Sequence, residues 1–148
     1  MSRGEYILMV LTKEELIAYS IELFLQSPSH REYLIGDLDT YLLLPIKYNK
    51  IRVYMEKDKP VGLLTWCFMY PEDADKFLQD KYHPTEDDFK YDNIEGKEPW
   101  GLELIAPYGH TRQVIRLIKD EIGKTYGELT GNWRRFHSKD KRRTKRFV

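Results

Sequence analysis

Ser27-Pro28-Ser29-His30-Arg31 brings a hydroxyl, an imidazole and a guanidinium together within five residues. Imidazole is the side chain whose unperturbed charge change lies nearest neutrality, so His30 is the natural candidate for a general base. Such a base works with an anion behind it that orients the ring and stabilises the imidazolium. One stands far downstream. Glu103 sits in the apolar run Trp100-Gly101-Leu102-Glu103-Leu104-Ile105-Ala106, which Pro107-Tyr108-Gly109 closes. Arg31 offers a partner for an anion such as a phosphate or an acidic helix, or a plain surface ion pair.

Other groups are weaker candidates. Ser27 before a proline reads as a helix-terminating residue more than as a nucleophile. Cys67, inside a long apolar strand, reads as buried filler. His83 and His137 lie in polar segments, and His110 opens a helix. No His or Cys pair has metal-ligand spacing, so no metal is expected.

The elements that must position these groups are marked locally. Thr12 and Glu15 form a capping box, and Leu16, Ile17, Tyr19, Ser20, Leu23 and Phe24 recur at helical spacing until Pro28 closes the segment. A short helix is expected from Asp37. Ile51–Glu56 alternates with period two, and Pro60–Met69 is almost wholly apolar, which predicts an antiparallel hairpin whose second strand is central. Gly62 in that strand permits close packing or a bulge. Pro71–Leu78 opens with proline and acids and reads as a helix. Residues 80–99 read as a polar loop, Trp100–Ala106 as a strand, Thr111–Gly123 as a second amphipathic helix, and Tyr126–Trp133 as a last strand. The order predicts a mixed α/β (α+β) domain over residues 1–136 on a mainly antiparallel sheet flanked by helices. A basic tail, residues 137–148, follows.

Composition sets limits. The chain has 148 residues, 41% of them apolar, enough for one real core. Formal net charge is zero, so the overall field nominates neither nucleic acid nor a membrane surface. The basic tail keeps two docking partners open, an acidic protein surface and, as the lesser candidate, a nucleic-acid backbone. The single cysteine fits a reducing cytoplasm. No apolar run reaches the roughly 18–20 residues that span a bilayer.

Four blocks, in order over roughly residues 12–120, resemble the toxin-activating lysine acyltransferases, which fatty-acylate lysines of RTX protoxins. Ser27-Pro28-Ser29-His30-Arg31 is similar to that family's S-P-x-H-R block. Leu43-Leu44-Pro45-Ile46 is similar to L-P-A-I. Pro60-Val61-Gly62-Leu63-Leu64-Thr65-Trp66 is similar to P-V-A-Y-x-S-W. Trp100–Gly109 is similar to W-x-I-D-W-I-A-P-F-G-D. The resemblance implies an N-acetyltransferase-like fold, an essential histidine at His30, and Glu103 where the family has aspartate. Gly109-His110 replaces the family's Gly-Asp. Ser27, Arg31, Trp66, Gly109 and His110 are then candidates for substrate or carrier contacts. The implied donor is a fatty acyl group on acyl carrier protein. A Q/R-x-x-G-x-G/A pyrophosphate loop is missing, with Gly109-His110-Thr111-Arg112 in its place, which argues against coenzyme A. No tightly bound cofactor is expected. The acceptor is a lysine-bearing protein. The alternatives are another amine acceptor on the same fold, or a non-enzymatic module that holds nucleic acid or a partner through the tail. A homodimer is compatible with the sequence.

Overall fold

The computed structural model describes residues 6–8, 10–92, 95–126, 129–134 and 142–147. Strands β1 (Tyr6–Leu8), β2 (Ile51–Glu56), β3 (Lys59–Met69), β4 (Glu98–Ile105), β5 (Leu129–Arg134) and β6 (Arg142–Phe147) form one sheet in sequence order. Every neighbouring pair is antiparallel except β4–β5, which is parallel at Trp100↔Asn132 and Gly101↔Trp133. A parallel pair needs a crossover. Helix α6 (Thr111–Tyr126) supplies it.

The apolar β3 is central, and every residue from Pro60 to Met69 is buried. Its alternation divides the core between two faces. Leu63 joins Leu23, Phe24, Leu42, Ile51, Val53, Met55 and Ile105 under α1 (Lys13–Leu25). Leu64, Trp66 and Phe68 pack on the opposite face with Val114, Ile118 and Ile122 of α6. Cys67 and Met69 continue the first face beneath α4 (Pro71–Leu78), with Phe77, Phe89 and Trp100. Each buried side chain of this size stabilises the fold by about 1.5–3 kcal/mol.

α1 starts at its capping box: Thr12 Oγ1 accepts the Glu15 N–H at 3.1 Å, and Glu15 Oε1 accepts the Thr12 N–H at 3.0 Å. Pro28 ends this helix and opens the next. Proline lacks only a donor that the first helical position does not need, so it begins α2 (Pro28–Arg31), with Ser27 as the flanking residue. The chain is helical from Asp37, as expected, and passes through a π-helical turn (Asp39–Leu43) into α3 (Leu44–Lys47).

Two stretches differ from the sequence reading. The expected loop over 80–99 contains α5 (Glu86–Lys90). Its signal is a second capping box, in which the Asp88 carboxylate accepts the Thr85 N–H at 2.9 Å, hidden in a run of acids. The expected tail, 137–148, is not tail throughout: Arg142–Phe147 forms β6, which pairs with β5 from Leu129↔Phe147 to Arg134↔Arg142. Without it the outer edge of β5 would present unpaired backbone groups. Residues 135–141, including His137, lie outside the described residues. α6 also continues past Gly123 to Tyr126, whose hydroxyl accepts the Trp66 Nε1–H at 3.2 Å. Among the described residues, no helix is long and apolar enough to cross a membrane.

Candidate functional site

The β3–β4 ladder aims Glu103. Thr65 pairs with Glu103 and Trp66 with Gly101, so one extra residue, Leu102, interrupts β4. A β-bulge of this kind lets two residues an odd number apart share a face. Trp100 and Glu103 therefore both look toward the α1 and α5 side, opposite Cys67 and Thr65. Glu103 is 2% exposed, and a carboxylate buried so deeply needs compensation. Its backbone N–H donates to Thr65 Oγ1 at 3.2 Å. Tyr33 Oη donates to Oε1 at 2.6 Å. His30 Nε2 meets Oε2 across 73 residues of sequence.

α1 and α2 deliver the imidazole. Its ring stands 5.3 Å from the Phe24 ring and 5.2 Å from the Tyr33 ring, centroid to centroid, so two aromatic planes fix its orientation. The His30 side chain keeps 10% of its surface exposed, against 3% for Glu103. A carboxylate on Nε2 selects the tautomer that carries its proton there. Nδ1 then has the lone pair, and Ser27 Oγ lies 2.5 Å from it, with Ser29 Oγ at 3.4 Å. The short helix sets this approach, because Ser27 and His30 are three residues apart and the His30 N–H donates to the Ser27 carbonyl at 3.0 Å. The arrangement is a hydroxyl, an imidazole and a buried carboxylate in line. It can accept a proton at Nδ1 and hold the resulting imidazolium against Glu103.

The structure brings Ser27, His30 and Glu103 together. Arg31 is close in sequence, but its guanidinium donates to the Leu25 carbonyl at 3.0 Å and so satisfies the end of α1. Trp66 does not belong to this site. Strand alternation sends it to the α6 face, where it is buried beneath Arg52, whose guanidinium carbon lies 5.0 Å from the ring centroid. Gly109, in the left-handed region at φ 85°, and His110 lie at the head of α6, where His110 Nε2 is 3.4 Å from Glu56 Oε2. Cys67 is fully buried, and burial, with the nearby Asp88 charge, pushes its thiol far up from the usual range. A thiol so placed is not an accessible nucleophile. Tyr33 and Thr65 are the members that sequence reasoning missed. Tyr33 follows His30 by the same three residues that separate His30 from Ser27, so the spacing S-x-x-H-x-x-Y carried the signal.

The family model for the RTX toxin acyltransferases (HlyC) matches residues 10–147. This chain belongs to the RTX toxin acyltransferase family. Among its relatives, the leukotoxin-activating lysine-acyltransferase LtxC of Aggregatibacter actinomycetemcomitans is 28% identical over 96 residues, covering 65% of this chain and 55% of that protein. The lysine-acyltransferase RtxC of Vibrio cholerae is 24% identical over 110 residues, covering 74% of this chain and 69% of that protein. The chain thus spans little more than half the length of the first of these relatives. A mosquito arylalkylamine N-acetyltransferase (like 5b) superposes with a TM-score of 0.53 at 14% identity, over 86% of this chain and 76% of that one. At that identity the likeness speaks for the fold. This RTX toxin acyltransferase family member has the N-acetyltransferase-like α/β architecture that its sequence blocks imply.

Proposed function

We propose that the chain transfers a fatty acyl group from acyl carrier protein to the ε-amine of a lysine in a protein acceptor. One observation carries the reading: His30 is held on buried Glu103 by Nε2, with Nδ1 turned to the Ser27 hydroxyl. The neutral lysine amine attacks the thioester carbonyl, and the tetrahedral adduct expels the carrier thiolate. The amine proton passes to Nδ1, either directly or through the Ser27 hydroxyl, and then to the departing sulfur. The products are an amide and a free carrier thiol. Glu103 keeps its charge throughout and offsets that of the imidazolium. The missing glycine-rich pyrophosphate loop supports a protein-bound donor over coenzyme A. The exposed Arg31 on α2 supports an acidic carrier as the partner. The single cysteine supports a cytoplasmic setting.

The test is direct. The purified chain is incubated with radiolabelled long-chain fatty acyl carrier protein and a library of lysine-bearing peptides, and label is followed to lysine by mass spectrometry. Amide formation that falls by about 10²–10⁴ in His30→Ala supports the reading. Transfer that survives His30→Ala, or label retained only on hydroxyl groups of the acceptor, would sink it.

A further inference from the structure

We propose that Tyr33 is a positioning residue, and that its hydroxyl locks the Glu103 carboxylate in the orientation that sets the His30 tautomer. The inference rests on His30 as the base and goes beyond it. A glutamate side chain turns about three bonds before its carboxylate, and strand β4 fixes only the first atoms of it. The His30 contact occupies one oxygen, Oε2. A single contact leaves the carboxylate free to rotate about its last bond and exchange its oxygens. The Tyr33 Oη–H donates to the other oxygen, Oε1, at 2.6 Å and removes that freedom. A hydrogen bond to an ionised acceptor is about twice as strong as a neutral one.

Tyr33 is itself held at both ends of its ring. Its centroid is 5.2 Å from that of His30, 6.0 Å from Phe24 and 5.6 Å from Tyr41. Its backbone N–H donates to the His30 carbonyl at 3.1 Å, so α2 delivers the base and the orienting phenol as one unit. Base, phenol and carboxylate form a closed triangle. With both carboxylate oxygens committed, the proton of neutral His30 stays on Nε2, and Nδ1 is kept as the acceptor facing Ser27.

The test uses Tyr33→Phe, which keeps the ring in its packing and deletes the hydroxyl. Two readouts are taken. In the transfer assay, kcat falls about 10- to 100-fold while KM changes less than about threefold, the signature of a group that acts on the chemical step. In a Glu103→Gln background the same substitution adds less than about a twofold further loss, because Tyr33 acts through that carboxylate. The second readout needs no turnover. Nitrogen-15 shifts of the His30 ring report an Nε2–H tautomer in the parent chain and a raised Nδ1–H population in Tyr33→Phe. An unchanged tautomer, or losses that multiply fully in the double variant, overturns the proposal. So does a Tyr33→Phe chain that fails to fold, since the hydroxyl would then be structural. If the parent chain transfers nothing, the function above falls, while the tautomer measurement still decides the role of Tyr33.

Discussion

Thr65 stands directly across the ladder from Glu103, and its Oγ1 accepts the Glu103 N–H at 3.2 Å inside the sheet. The bulge lies at this point of the ladder, and the threonine hydroxyl is an acceptor for that N–H. Thr65→Val keeps the shape and removes the oxygen. Losing that hydrogen bond costs about 0.5–1.5 kcal/mol. The denaturant midpoint should fall accordingly, and Thr65→Ser should recover most of the loss. Equal midpoints for Val and Ser would show that the hydroxyl does not hold the bulge.

The reach of residue 103 is matched to the position of α2. Glu103→Asp draws the carboxylate back by one methylene while His30 and Tyr33 stay fixed by Phe24 and Tyr41. Displacement of about 1 Å costs roughly 100-fold in a well-oriented site, so transfer should fall about 10- to 100-fold although the family pattern carries aspartate here. Steady-state rates check it, with near-ultraviolet circular dichroism as the control for folding.

Gly62 lets α6 lie against β3. A Cβ at that position would stand 2.5 Å from Val114 Cγ2, closer than packed carbons come. Gly62→Ala should destabilise by about 1–3 kcal/mol through overpacking. Val114→Ala makes the room, so the double variant should be more stable than the sum of the single losses predicts, by about 0.5 kcal/mol or more. Strict additivity in urea unfolding would contradict the contact.

Tyr54 ties stability to alkaline pH. Burial, with the Glu121 carboxylate second, pushes its phenol well up from the usual range. The folded value is raised above the unfolded one, so the contribution is intact below about pH 10 and is lost as pH rises beyond it. The Tyr54 hydroxyl is buried beside the Glu121 carboxylate, which adds to the rise. Tyr54→Phe should therefore change stability at neutral pH by no more than about 1 kcal/mol and flatten the alkaline decline. Urea midpoints across that range decide it; parallel declines in the two proteins count against the assignment.

Cys67 gives a chemical check on the core. Iodoacetamide should leave the folded chain unmodified and label it at one site in denaturant, because the fully buried thiol is both inaccessible and held protonated. Rapid native labelling would return Cys67 to the list of nucleophiles.

The sequence made α1, the β2–β3 hairpin, α4 and α6 legible because each carries its own marker: the Thr12–Glu15 box, period two in Ile51–Glu56, Pro71 before acids, and the Val114–Ile118–Ile122 stripe. It gave His30 and Glu103 as a pair through ordered blocks. It did not show α5, whose Thr85–Asp88 box is masked by surrounding charge, nor β6, where Arg142–Phe147 has few apolar residues and pairs only because β5 lies beside it. That Trp66 packs against α6 is not legible, because a motif says which residues are near in sequence, not which face of a strand they occupy. The Ser27–His30 contact was undervalued for a similar reason, since proline was read as an end and not also as a beginning.

The bulge at Leu102 makes parity part of the site. Three steps separate Trp100 from Glu103, yet both point the same way because one step is not counted by the neighbouring strand. Were Leu102 itself to pair with Thr65 in an unbroken ladder, every chemical group of the constellation would remain, but Glu103 would stand opposite Leu64. Its carboxylate would then turn through the sheet toward α6, leaving His30 facing no anion. The pairing of this strand is therefore as much a determinant of its chemistry as any side chain on it.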